Sequence, residues 1–355
     1  MYKPFLHLTR NPFDLTPDPN FFVPTRRHNE ALAALYYGVR WGKDLVVVTG
    51  EVGTGKTLLL RCLLRLLKGS QDIAYAYIFN GRLSPTEFLQ YILSDFGLPA
   101  SGRSKSQLLL DLRQFVLSRR SRGLTTVLII DEAHHLSENI LEEIRLLSHL
   151  ETVDDKLLQI ILVGQPELDE KLDKLGLRQL EQRIALRSRL APLDAEDTRE
   201  YVRRRLQFAG ADQRSDAIFP AVTMEGVYRH SKGLPRLINT VCENALVVAF
   251  AQQRDVVTPE IVENVAREFR LGQCFVRVDS PEENVGANQK QEANAGPIRQ
   301  DKYPARLYHF TSNAICGMSF GVGLAIGIIV VTCIDLNRCF DKHGVTESLE
   351  PLVQS

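Results

Sequence analysis

The chain has no excess of charge of either sign: its 355 residues hold 43 Lys and Arg against 43 Asp and Glu. A generally basic nucleic-acid binder would show a positive surplus, so that class is excluded for the chain as a whole, while a local basic patch is not. Cysteine is sparse and unpatterned. Cys62, Cys242, Cys274, Cys316, Cys333 and Cys339 contain no CxxC pair, and two of them lie in an apolar run. That argues against a disulfide framework and a structural zinc site. No long apolar stretch opens the chain at residues 1–11, so the mark of a signal peptide is missing. What is present is ordinary globular composition, 44% hydrophobic and 24% charged, enough for two to three domains.

One run is uniformly apolar. Residues 314–334, AICGMSFGVGLAIGIIVVTCI, carry no charge. As a helix this run would span about 30 Å, the thickness of a hydrocarbon core, and it is expected as a single transmembrane helix. Gly317/Gly321 and Gly323/Gly327 give two GxxxG spacings of the kind that lets helices approach in lipid. Before it, residues 277–313 are rich in Pro, Gly, Asn, Gln and Glu and read as a flexible linker. Arg299, Lys302 and Arg306 precede the run and Arg338 and Lys342 follow it, which orients it only weakly. A nucleotide site in the preceding region, argued below, needs cytosolic nucleotide. The N-terminal domains are therefore expected in the cytoplasm of a single-pass inner-membrane protein, with 335–355 a short periplasmic tail.

Upstream, strands alternate with helices. Val- and Ile-rich runs at 44–50, 74–79, 126–131, 157–164 and 185–190 read as strands, with helices near 84–97, 105–120 and 138–150 between them. This predicts a parallel sheet covered on both faces. Beyond about residue 195 strand-like runs stop, and a small helical domain is expected.

Gly50, Glu51, Val52, Gly53, Thr54, Gly55, Lys56 and Thr57 fit GxxxxGK(S/T) between an apolar strand and an apolar-faced helix. Glycines let backbone N–H groups curl around phosphate, and the helix N-terminus favours its charge. Lys56 is expected to reach the β- and γ-phosphates of ATP and Thr57 to hold Mg2+. Asp131 and Glu132 stand at the end of the strand at 126–131, where open α/β sheets bind ligands. Asp131 is read as a second Mg2+ holder and Glu132 as the group that polarises the attacking water. Gln165 ends the fourth strand. Should that strand lie between the first and third, Gln165 would face the γ-phosphate.

These blocks resemble the AAA+ ATPases, specifically the ExeA/GspA-type general secretion pathway protein A family. The resemblance covers about residues 1–271. It rests on NPF at 11–13, TPDP at 16–19, GEVGTGKT at 50–57, DEAH at 131–134, LVGQPEL at 162–168, LEQRI at 180–184 and GLPRLIN at 233–239. It implies a P-loop parallel sheet of order 5-1-4-3-2 with a helical lid. The implied segments are an adenine-bordering segment at 1–40 that carries His28, the nucleotide-binding domain at 41–194 and the lid at 195–276. It also implies that Gln165 is sensor 1, that Arg236 is sensor 2, and that Arg183 or Arg187 is a finger reaching a neighbour's ATP. Self-association into a dimer or ring follows from a trans finger.

The reading reached is a membrane-anchored ATPase that assembles or energises a secretion, pilus or polysaccharide-export system with an envelope partner. Relatives often carry a peptidoglycan-binding domain after the span, and only a short tail follows here, so peptidoglycan contact is doubtful. Nucleic-acid contact is not expected on this reading. The alternatives are a DNA-associated ATPase of the transposition or replication-initiation type, with His134, His135, Arg119, Arg120 and Arg122 facing nucleic acid, and a non-hydrolysing ATP-binding scaffold.

Overall fold

The computed structural model describes residues 2–271 apart from 80–82, 153–154 and 212–213. Its parallel sheet consists of β1 (Leu45–Gly50), β2 (Ile73–Ile78), β3 (Thr125–Ile130), β4 (Gln159–Gly164) and β5 (Ile184–Leu190), in the order β2-β3-β4-β1-β5. This is the order 5-1-4-3-2 that the family resemblance implies. Val48 of β1 stands opposite Val163 of β4 and Ser188 of β5, so the strands run nearly level and their carboxyl ends form one rim.

Side chains alternate across each strand, and the sheet is apolar on both faces. Leu45, Val47, Leu128 and Ile160 enter one buried cluster with Phe88, Leu112 and Ile144. Val46, Val48, Ile129 and Ile161 enter the other with Leu35, Leu60 and Leu63. The covering helices are α1 (Arg26–Arg40), α2 (Lys56–Lys68), α3 (Pro85–Asp95), α4 (Lys105–Arg120), α5 (Glu138–Leu147) and α6 (Glu167–Leu172). Their starts are written locally. Ser84 with Glu87 and Ser104 with Gln107 form capping boxes at α3 and α4, each satisfying two backbone donors that the first turn leaves unpaired.

The helical layer contains α7 (Ala195–Phe208), α8 (Ala221–Ser231), α9 (Pro235–Ala251) and α10 (Pro259–Glu268). Val202, Leu206, Val227, Ile238, Cys242 and Val262 build a separate core there. The N-terminal segment joins this core: Tyr2, Leu6, Leu8, Phe13 and Phe21 are buried in it. Buried Arg205 of α7 ties the segment down, donating to the carbonyls of Pro12 (2.6 Å) and Asp14 (3.1 Å) beneath the Phe21 ring. Residues 1–40 therefore divide, the first part packing with the lid helices and α1 lying against the sheet. Cys62 and Cys242 are buried free thiols, and burial pushes the Cys62 thiol up to about 12.

The expected membrane anchor needs correction. Among the described residues no helix is long and apolar enough to cross a membrane. The longest lid helix, α9, has 17 residues and carries Arg236 and Glu243, so it is both short and charged for a bilayer core. The run at 314–334, the linker at 277–313 and the tail at 335–355 lie outside the described residues. The transmembrane helix, the single-pass topology, the membrane contact and the inner-membrane location are all withdrawn.

Candidate active site

β1 ends at Gly50 and passes into a loop that only glycine can follow. Gly53 and Gly55 have φ of +85° and +100°, where L side chains are strained. A Cβ on Gly50 would stand 2.8 Å from the Leu190 carbonyl oxygen, and one on Gly53 would stand 2.8 Å from Cβ of Arg236. Thr54 closes the loop by donating from Oγ1 to the Glu51 carbonyl at 2.8 Å, while Val52 lies exposed at its tip. α2 begins at Lys56, so its unpaired N–H groups open into the cradle. Lys56 is buried and curls back over the loop, its Nζ donating to the carbonyls of Gly50 (2.7 Å) and Glu51 (2.9 Å). Burial lowers its pKa, and the nearby Glu132 and Asp131 oppose that shift.

Thr57, in the first turn of α2, faces Asp131 at the end of β3. Asp131 Oδ2 accepts from the Thr57 hydroxyl at 3.3 Å and from the Tyr77 hydroxyl of β2 at 3.0 Å. Its Oδ1 accepts from the Glu132 N–H at 2.9 Å. Burial raises the pKa of this carboxyl, and the Glu132 N–H and the Tyr77 hydroxyl pull it back. One hydroxyl and one carboxylate, side by side beneath a phosphate loop, are the hard oxygen donors that Mg2+ takes.

Glu132 adopts a left-handed backbone, φ +52°, uncommon for a residue with a side chain and frequent at functional sites. Its carboxylate Oε2 lies 3.4 Å from Nδ1 of the buried His134. Gln165 follows β4, which does lie between β3 and β1, and its Nε2 lies 2.8 Å from His134 Nε2. Lys56, Thr57, Asp131, Glu132 and Gln165 are thus gathered on the carboxyl rim of three adjacent strands.

The remaining expected residues divide by location. Arg236, in the first turn of α9, donates its backbone N–H to the Gly53 carbonyl at 3.2 Å, so the lid touches the phosphate loop. His28 of α1 is buried behind that loop, with Nε2 2.9 Å from the Thr54 carbonyl and Nδ1 2.6 Å from Thr25 Oγ1. The carbonyl can only accept, so Nε2 carries the proton and Nδ1 accepts from Thr25. Burial lowers the pKa of His28. Arg183 sits just before β5, donating to Asp44 Oδ2 (3.0 Å) and the Ser148 carbonyl (2.9 Å). Ile184 pairs with Leu45, so Arg183 stands at the far end of the six-residue β1, about 20 Å from its own phosphate loop. Arg187 is mid-strand opposite Val47, 3.4 Å from Asp169.

Two residues of this site escaped the sequence reading. Tyr77 became meaningful only once β2 was placed beside β3. His134 was grouped with residues facing nucleic acid but points inward. Of that group, Arg119 donates to the carbonyls of Asp72 and Thr125, Arg120 pairs with Asp155, and His135 and Arg122 are exposed.

Comparison with known proteins agrees with this geometry. The family described as AAA domain matches residues 39–172. General secretion pathway protein A of Aeromonas hydrophila is 45% identical over 253 residues, covering 71% of this chain and 45% of that protein. ATP-dependent target DNA activator B of Escherichia phage Mu is 30% identical over 131 residues, covering 37% of this chain and 39% of that one. The structure of the Aeropyrum pernix ORC2 protein superposes with a TM-score of 0.55 at 19% identity, covering 73% of this chain and 71% of that one, a likeness of fold. The chain spans less than half the length of the curated relatives it matches.

The phosphate loop, the acidic strand end and the sheet order place this chain among the AAA+ ATPases. Within that class it is related to general secretion pathway protein A. The expectation against nucleic acid is withdrawn as well, since one of the relatives matched is itself named for target DNA activation.

Proposed function

We propose that the chain is a Mg2+-dependent ATP hydrolase that self-associates and loads onto DNA in its ATP-bound state. The observation that carries the chemistry is the convergence of Lys56, Thr57, Asp131, Glu132 and Gln165 on one rim. Lys56 leaves the carbonyls of Gly50 and Glu51 and turns to phosphate oxygens. The loop N–H groups and the start of α2 share the remaining negative charge. Thr57 and Asp131 would hold Mg2+, which offsets charge on the phosphates. Glu132 polarises the attacking water, Gln165 sits where the terminal phosphate is sensed, and the α9 turn at Arg236 closes over the loop. A finger from a neighbouring subunit, Arg183 or Arg187, completes the site, since Arg183 lies about a strand length from its own phosphate loop. The same division supports a sheet domain at 41–194 and a lid from 195.

The DNA client is supported by the relationship to the phage target DNA activator. The 45% identity to a protein named for general secretion supports a protein-secretion client as the second reading. ATP turnover of the purified chain with and without duplex DNA separates the two. Stimulation together with ATP-dependent retention on DNA is expected, and absence of both leaves the secretion client. Lys56→Ala should abolish nucleotide binding, while Glu132→Gln should bind ATP and stop turnover. Unchanged turnover in Glu132→Gln would remove the role given to that carboxylate.

A further inference from the structure

His134 lies between the two residues assigned to water activation and phosphate sensing. One ring nitrogen faces Glu132 Oε2 at 3.4 Å and the other faces the Gln165 side-chain amide at 2.8 Å. His134 is 8% exposed, and its neighbours fix its backbone. Lys171 of α6 donates to the carbonyls of His134 and Leu136, and Gly164 leaves only 3.1 Å between its own Cβ position and the His134 nitrogen. The ring therefore has little freedom to leave either partner.

Proton placement then has two solutions, which differ in what meets Nδ1. The Gln165 Nε2 is a donor only, so the facing His134 Nε2 must accept and the ring proton resides on Nδ1, directed at Glu132. Glu132 Oε2 is buried and makes no other hydrogen bond. With the Gln165 amide rotated by half a turn, its Oε1 faces the ring and the proton must reside on Nε2. The bare Nδ1 then has a donor waiting, the backbone N–H of Gln165 at 3.4 Å. Each arrangement gives Nε2 a partner: the first directs Nδ1–H at Glu132 but sets it against the Gln165 backbone N–H, and the second pairs Nδ1 with that N–H and releases Glu132. Burial and the adjacent His135 lower the pKa of His134, which keeps it neutral in both.

We propose that His134 is a positioning residue that transmits the state of the Gln165 amide to Glu132, holding the carboxylate through Nδ1–H in one arrangement and releasing it in the other. This rests on the roles proposed for Glu132 and Gln165. A terminal phosphate that takes the Gln165 NH2 turns Oε1 to the ring. One proton leaves Nδ1 and one arrives at Nε2 by exchange with water, and the imidazole stays neutral. Glu132 is then free to polarise water only while that phosphate is present.

The test is the tautomer itself, read from 15N side-chain shifts of the full chain labelled at histidine, with ADP and with a non-hydrolysable ATP analogue, both with Mg2+. The Nδ1–H form is expected with ADP and the Nε2–H form with the analogue. In Gln165→Glu, whose carboxylate only accepts, the Nε2–H form is expected with both nucleotides. The same tautomer in both states of the unaltered chain would overturn the proposal. Failure of the underlying reading is distinguishable: Glu132→Gln would then keep turnover whatever the tautomer does.

Discussion

The backbone N–H of Arg236 donates to the carbonyl of Gly53, 3.2 Å away, joining the first turn of a lid helix to the tip of the phosphate loop. Their side-chain positions are as close. A Cβ on Gly53 would meet the Arg236 Cβ at 2.8 Å. Lid and loop are thus in contact, and any reshaping of the loop must also move the start of α9.

That contact sets a first prediction. Gly53→Ala meets both a left-handed backbone and the Arg236 collision, and ATP affinity should fall at least tenfold in a fluorescent-nucleotide titration. Gly97→Ala also has positive φ, +77°, but open space around it. It should cost about 1 kcal/mol of stability and leave ATP affinity unchanged.

Tyr77 donates to the carboxylate oxygen that also receives the Thr57 hydroxyl. Tyr77→Phe should leave nucleotide binding at saturating Mg2+ intact and raise the Mg2+ concentration needed for half-maximal binding about tenfold, as expected for a partner that orients a metal ligand. Titrating Mg2+ at fixed labelled ATP measures this directly.

Asp131 is buried with its pKa raised. A raised carboxyl pKa means the ionised form is penalised by folding, and stability from this group is lost as pH rises through the folded value. Asp131→Asn should therefore raise the Tm of the nucleotide-free protein at pH 7 and flatten its Tm between pH 4 and 7, while abolishing Mg2+-stimulated turnover. A lower Tm at pH 7 would contradict the burial argument.

His28 has the opposite sign. Burial lowers its pKa below 6.5, so the unfolded chain binds a proton that the folded chain refuses, and stability falls as pH drops below about 6.5. In His28→Gln, whose amide can still donate to the Thr54 carbonyl, thermal unfolding at pH 7 and pH 5 should differ less than in the parent. An identical slope would show that His28 titrates normally.

Arg183 and Arg187 differ in what they leave behind. Arg183→Ala exposes Asp44, which then keeps only the Lys156 ammonium at 3.1 Å, whereas Arg187→Ala frees the half-exposed ion pair with Asp169. Each variant should bind ATP. One should lose turnover and regain it when mixed with Glu132→Gln, which lacks the carboxylate but keeps the arginine. No recovery in either mixture would show that the site is not shared between subunits.

The phosphate loop, the strand-end acids and the sheet could be read from sequence because each is a local pattern. Gly50 to Thr57 are contiguous, and a Val/Ile run ending in Asp131 and Glu132 announces both a buried strand and where it stops. The apolar run at 314–334 was equally local and lies outside the described residues, among which no helix is long and apolar enough to cross a membrane. Packing of Phe13 and Phe21 with the lid helices could not be read, because the residues that bury them lie some 200 positions away. The same holds for Tyr77 against Asp131 and His134 between Glu132 and Gln165. Strand order brings these residues together, and hydrogen-bond partners far apart in the chain leave no periodicity for a sequence to show. Local pattern determined which chemistry the chain carries. Tertiary structure decided which side chains hold that chemistry in place, because orientation at a buried site is fixed by non-local donors and acceptors rather than by neighbours in sequence.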